Sequence, residues 1–445
     1  MLTYNRILRT WWPLAASSML MSAELPALSA IVARLPDPEF NLAAYGGIVF
    51  PLALLIESPI IMLLSASTAV CKDWDSYRKV FRFMMVVSAG LTLIHLGVAF
   101  TPLYDLVARS LLGAPEEIIE PGRLGLQIML PWSWAIAYRR FHQGVLIRFD
   151  HSNTVGIGTT IRLCSNLVVL LAGYFSRALP GIAVATMAVI AGILAEAFYV
   201  GLVVQPVLRQ QVRPAQSAGQ ALTLVSFLHF YIPLVLTSLI SLLVLPIGSA
   251  ALSRMPLAIE SLAAWSVVTG LTFMLRSPGI AFNEVVVALL DQPRSYERLR
   301  RFAGVLAGAA SLALVGIAAT PLSRLWFERI SGLSPQLGQM ARESLWLFLL
   351  APGLAALQSW FQGVLLNSRR TRVITESVVG FMLVCVLGLA MGVWWGRIPG
   401  IYIGAAAMSL AMLAQTTWQA LRSLPSRQNF ARRDARQEAE TAFSA

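Results

Sequence analysis

The chain has 445 residues, of which 57% are hydrophobic and 13% charged, and a net charge of +12. An ordinary soluble domain carries roughly 25% charged residues, so the composition excludes that class and points to a polytopic membrane protein. In a soluble chain the positive charge would suggest nucleic acid; here the basic residues flank apolar segments and form no basic domain, so no nucleic-acid partner is expected.

With about 20 apolar residues per crossing, the sequence predicts twelve spans at 10–34, 42–71, 80–103, 125–147, 154–176, 180–207, 222–250, 257–289, 301–323, 342–366, 373–395 and 399–421. The start, "NRILRTWWPLAASSMLMSA", has the basic-then-apolar character of a signal peptide, but a repeat described below makes it a retained first span. The spans at 42–71 and 257–289 exceed what a bilayer needs, which implies tilting or protrusion. Lys and Arg fall predominantly in the loops on the side of the N-terminus, placing both termini in the cytoplasm of a multi-pass cell-membrane protein. The acidic loop "GAPEEIIEPG", with Glu116, Glu117 and Glu120, then lies outside. "RQQVRPAQSAGQ" reads as a flexible inter-lobe linker, and the charged stretch 425–445 reads as a disordered cytoplasmic tail. Cys71, Cys164 and Cys385 show no metal-ligand spacing and are read as packing residues; the four histidines form no ligand pattern, so no metal or cofactor is expected.

The sequence contains itself twice. Pro13, Pro26, Arg34, Pro36 and Leu42 recur 220 positions later as Pro233, Pro246, Arg254, Pro256 and Leu262. After a one-residue gap the offset becomes 219, and Ser58-Pro59 returns as Ser277-Pro278, Ser76-Tyr77 as Ser295-Tyr296, and Gln143 as Gln362. Shared hydrophobicity would allow any register, so a held offset means duplication. Six spans per copy is an even number, so the copies insert in the same orientation. The expected fold is all-α, twelve transmembrane helices in two six-helix pseudo-symmetric lobes: 1–208, a linker at 209–221, 222–424, and the tail 425–445.

Intramembrane charges are the candidate site. Glu57 precedes Ser58-Pro59, and Arg276 stands at the equivalent place before Ser277-Pro278. Opposite charges at one depth either pair or bind substrate, or lock the lobes together. Glu24 lies in the first span beside Pro26, whose missing amide frees a carbonyl; it is the candidate ion-coupling residue, against a carboxyl bonded to a neighbouring helix. Arg162 and Asn166, four apart on one helix face, contact an anionic ligand, or Arg162 snorkels to the interface. Glu196 and Glu284 are candidates to neutralise Arg162 or Arg276, and the sequence does not assign them. The basic runs at Arg139-Arg140, Arg298 to Arg301 and Arg369 to Arg372 read as topology determinants near lipid head groups.

The inter-span segments discriminate among families with a parallel six-plus-six repeat. "CKDWDSYRKVFRF" and "LDQPRSYERLRRF" lack the Gly-x-x-x-Asp-Arg-x-Gly-Arg pattern of the major facilitators. They resemble the link at this place in multidrug and toxic compound extrusion (MATE) proteins and their relatives in the MOP superfamily, and "WFQGVLLNSRRTRVITESVVGF" resembles that family's passage between helices 10 and 11. The "SYRKVFRF" ending is most similar to the progressive ankylosis-type branch. The resemblance covers about residues 10 to 424. It implies two lobes in a V that alternate access by rocking about a central cleft, and a coupling carboxylate in the first helix, a role Glu24 can fill although the family often has Asp. The ankylosis-type branch implies export of pyrophosphate, nucleotides or carboxylates, for which Arg276, with Arg162, offers the cationic cleft. The expected function is therefore a monomeric secondary transporter, not an enzyme, exporting a small organic ion on a proton or sodium gradient. The alternative is a flippase for a lipid-linked precursor.

Overall fold

The computed structural model describes residues 2–151, 153–215, 222–368, 370 and 372–443, and among them every regular element is helical. Among the described residues eleven helical segments are long and apolar enough to cross a membrane. The chain is a multi-pass membrane protein with twelve spans. The fourth span falls short of that list because it is broken and polar: Ile119–Ile128 (α5) and Trp132–Arg148 (α6) are separated at Met129–Pro131. The other elements are α1 (Tyr4–Val32), α2 (Pro38–Glu57), α3 (Leu63–Val70), α4 (Trp74–Phe100), α7 (Asn153–Ser176), α8 (Gly181–Val212), α9 (Leu224–Leu252), α10 (Ala258–Leu289), α11 (Tyr296–Ala319), α12 (Pro335–Asn367), α13 (Arg372–Trp395), α14 (Gly400–Arg422) and α15 (Leu424–Phe443).

The helices gather into two compact units, Met1–Ala27 with Ala264–Ala445, and Leu28–Ala263. Each therefore holds six spans. The sequence repeat divides the chain near the linker, whereas the packing assigns the start of α1 to the unit of the second repeat and α9 to the unit of the first. One reason is written at the Ser-Pro positions. The turn at Ser58–Met62 leaves the Ser58 and Pro59 carbonyls outside any helix ladder, and a buried carbonyl needs a partner. In the Leu28–Ala263 unit the Tyr231 hydroxyl of α9 donates to the Pro59 carbonyl at 2.5 Å, and Ser238 donates to the Ser58 carbonyl at 2.7 Å. In the other unit the Trp11 indole N–H of α1 donates to the Pro278 carbonyl at 2.9 Å. Trp11 and Tyr231 are themselves repeat equivalents, 220 positions apart.

The expected interruption at the Ser-Pro pairs occurs in one copy. The chain leaves helix after Glu57 and turns through Ser58–Met62 before α3 begins, whereas α10 runs unbroken through Arg276, Ser277 and Pro278. The span at 42–71 is long because it is two helices. The helix α8 continues to Val212 through a π-helical turn, so the predicted linker starts as ordered helix; its residues 216–221 lie outside the described residues. The stretch 425–445, expected without structure, is instead helical through Phe443. Around the acidic loop, Asp105 is held by Arg123 at 2.7 Å and Arg109 at 3.2 Å, and Glu116 pairs with Arg109. The two guanidinium groups hold the Asp105 carboxyl below the usual carboxylate range.

Candidate functional site

The Leu28–Ala263 unit carries a charged cluster in its interior, built from residues four apart on three helices. Arg139 and Gln143 share a face of α6, Arg162 and Asn166 share a face of α7, and Gly192 and Glu196 share a face of α8. Glu196 is fully buried and both its oxygens are engaged. Arg139 donates to Oε2 at 2.8 Å and Gln143 to Oε1 at 2.9 Å, while Arg162 Nε stands 3.8 Å from Oε2. Gly192 allows α7 to come this close: a Cβ there would lie 2.8 Å from the Arg162 carbonyl oxygen and 3.3 Å from the Asn166 Cβ. Glu196 is thus the neutralising partner of Arg162, and Arg162 does not snorkel, because it is buried at 8% exposure.

Arg139 was expected at the lipid head groups. It is 6% exposed and paired, so it is an interior residue. Its neighbour Arg140 is partly exposed and acts through space on Glu57, Arg139, Arg162 and Glu196. Glu57 joins the cluster from the end of α2. It is 3% exposed, its Oε2 has no hydrogen-bond partner among the described residues, and Arg140 and Arg139 are the charges that act on it. Three arginines stand against two carboxylates, leaving one positive charge in surplus. Beside them the His142 Nδ1–H donates to the Tyr138 carbonyl at 2.9 Å, which leaves Nε2 to accept from the Tyr77 hydroxyl at 3.2 Å. The signal for Arg139 was the spacing Arg139/Gln143, which matches the Arg162/Asn166 spacing already noted.

The other unit has the same frame with the charges removed. Arg139 and Glu196 correspond, at the offset of 219, to Gln358 and Gln415. The Gln358 amide donates to Thr416 Oγ1 at 2.9 Å, to the Met412 carbonyl at 3.2 Å and to Gln415 Oε1 at 3.4 Å. Arg276 belongs to this unit; it is partly exposed and its Nε has no hydrogen-bond partner among the described residues. Helix α1 lies along α10 here: Ser22 Oγ donates to Ser277 Oγ at 3.2 Å, and Pro26 approaches Gly270. Glu24, partly exposed, opens the helical segment that follows a break at Ala23. Glu284 lies exposed on α10. Among the described residues no group of three or more His, Cys, Asp or Glu could hold a metal ion. Cys71 and Cys385 are buried as packing residues, whereas Cys164 sits on an exposed helix face.

The twelve-helix, two-lobe architecture is the fold of the MATE transporters and their relatives in the MOP superfamily. An inward-facing multidrug resistance MATE family transporter matches with a TM-score of 0.70 and 14% identity, over 94% of this chain and 98% of that one. The lipid II flippase MurJ in an inward closed conformation matches at 0.67 and 14% identity, over 94% and 89%. A MOP superfamily transporter from Pyrococcus furiosus, described as having a binding pocket of reverse polarity, matches at 0.57 and 14% identity, over 96% of each chain. No protein-family profile and no curated protein matches the sequence.

Proposed function

We propose that this protein is a secondary transporter that exports a small organic anion by alternating access of its lobes, working as a monomer in the cell membrane with both termini cytoplasmic. The observation that carries the reading is the cluster of buried Glu57, Arg139, Arg162 and Glu196, with the partly exposed Arg140 beside them. Charged groups inside membrane spans are costly and concentrate at substrate and ion pathways. A surplus positive charge in such a place favours an anion, and the planar guanidinium fork suits carboxylate and phosphate oxygens. The notion that pocket polarity varies on this fold is supported by the neighbour from Pyrococcus furiosus, whose description couples reverse polarity with a different function. In this reading Glu57, Arg276, Arg162 and Asn166 contact the substrate, joined by Arg140. Glu24, at the break in α1, carries the coupling proton or sodium. The likeness to the ankylosis-type branch adds pyrophosphate, nucleotides and carboxylates as the substrates to try.

Purified protein in liposomes, offered a panel of radiolabelled pyrophosphate, nucleotides, di- and tricarboxylates and organic cations under imposed proton or sodium gradients, tests this. Gradient-driven movement of an anion is expected, and Glu24→Gln should remove the gradient dependence while leaving binding nearly intact. Movement of cations alone overturns the anion assignment. A second reading comes from the likeness to the lipid II flippase: lipid-linked substrate crossing the bilayer, insensitive to both gradients, would establish a flippase.

A further inference from the structure

We propose that the C-terminal helix α15 is a clasp: it supplies, from 138 residues away in sequence, the helix cap that the second repeat lacks, and so ties together one end of its unit. The two copies of one helix start make the case. In the first repeat Asp73 is the N-cap of α4; its carboxylate accepts from the Ser76 N–H at 2.8 Å while Ser76 Oγ accepts from the Asp73 N–H at 3.1 Å. That reciprocal box satisfies donors that a helix N-terminus leaves free. In the second repeat the residue in place of Asp73 is Gln292. The helix α11 begins later, at Tyr296, and its N-cap Ser295 makes no side-chain cap bond; the Ser295 hydroxyl donates instead to the Leu290 carbonyl at 2.6 Å.

The missing acceptor comes from α15. Asp434, 7% exposed, takes the Tyr296 N–H on Oδ2 at 2.9 Å, placing a negative charge at the positive end of the α11 dipole. Arg433 holds the other oxygen of that carboxylate at 2.8 Å and also donates to the Leu290 carbonyl at 2.9 Å and the Gln292 carbonyl at 3.3 Å, at the end of α10. Further up the same helix Arg427 donates to the Ala420 carbonyl of α14 at 2.7 Å, and its guanidinium lies 5.0 Å from the centre of the Phe361 ring of α12. Phe430 packs against the hydrophobic cluster that contains Leu290, Tyr296 and Phe361. One helix therefore bonds the ends of α10, α11 and α14 and lies against the Phe361 ring of α12. These ends cannot shift against one another without its release.

Hydrogen exchange on the full chain in nanodiscs tests it. Asp434→Ala removes the acceptor, and amides at 296–299 and 424–437 should exchange about fivefold faster or more. Asp434→Asn keeps an acceptor oxygen and should stay near the parent. The capped start of α4, at 76–80, should be unchanged in both. Equal exchange in Asp434→Ala and parent overturns the clasp, as does a rise that includes 76–80, since that marks general loosening. Should Asp434→Ala fail to fold, Arg433→Gln gives the same reading through the second tether.

Discussion

At the residue scale the two units offer an internal control on a buried ion pair. Arg139 and Glu196 form a pair whose side chains are 8% and 0% exposed, and their counterparts are the neutral Gln358 and Gln415. Removing one partner of a buried pair strands the other charge, at a cost of roughly 3 to 5 kcal/mol, whereas replacing both can be near neutral. Arg139→Gln and Glu196→Gln should each lower thermal stability sharply, and the double variant, which copies the second unit, should recover most of it. A double variant as unstable as the singles would show that the cluster needs its charges for folding, since Arg162 has lost Glu196 as well. The charges themselves were legible in the sequence. Which of them met was not, because "RR" at the end of an aromatic run carries the same signature whether it faces lipid heads or a polar interior.

At the element scale identical dipeptides gave different helices. Ser58-Pro59 ends α2 and Ser277-Pro278 does not end α10, although both prolines withdraw a donor. What differs is where carbonyls are left open: the break at Ser58–Met62 exposes the Ser58 and Pro59 carbonyls, which Ser238 and Tyr231 serve, whereas in unbroken α10 the carbonyl that Pro278 deprives of a partner is that of Met274, and the Ser277 hydroxyl donates to it at 2.8 Å. The packing of α3 on α6, beside the cluster, rests on Gly144. A Cβ there would lie 2.3 Å from the Leu64 carbonyl oxygen and 1.9 Å from Ser67 Oγ, and the first of these is backbone. Gly144→Ala should therefore separate α3 from α6 and cost about 1 to 3 kcal/mol. A thermal unfolding midpoint within a degree of the parent would show that α3 yields without loss. The helix α15 illustrates the opposite failure of sequence reading. Its charged sequence offers no apolar face, so nothing local demands a helix; contacts made by Arg427, Phe430, Arg433 and Asp434 hold it.

At the scale of the whole molecule the repeat makes its own prediction. Glu57 and Arg276 occupy equivalent places in the two copies, so the exchange Glu57→Arg with Arg276→Glu keeps total charge and inverts which copy bears it. Single substitutions to Gln should each impair expression or transport. If the two only lock the lobes, the exchange should restore both; if Arg276 binds the anion, it should restore expression and leave transport lost. Parental behaviour in both single variants would remove the pair from the mechanism. The sequence by itself determined that the chain crosses the membrane and how many spans it has, and it carries the held offset of a repeat, because bilayer thickness and register act on composition and spacing alone. Only the tertiary structure decided that Arg139 and Arg162 share Glu196, that α1 and α9 pack in the units of the opposite repeats, and that the tail caps α11. Each of these depends on which distant groups meet, and burial rewards any partner that satisfies a charge or a freed carbonyl, wherever it lies in the chain.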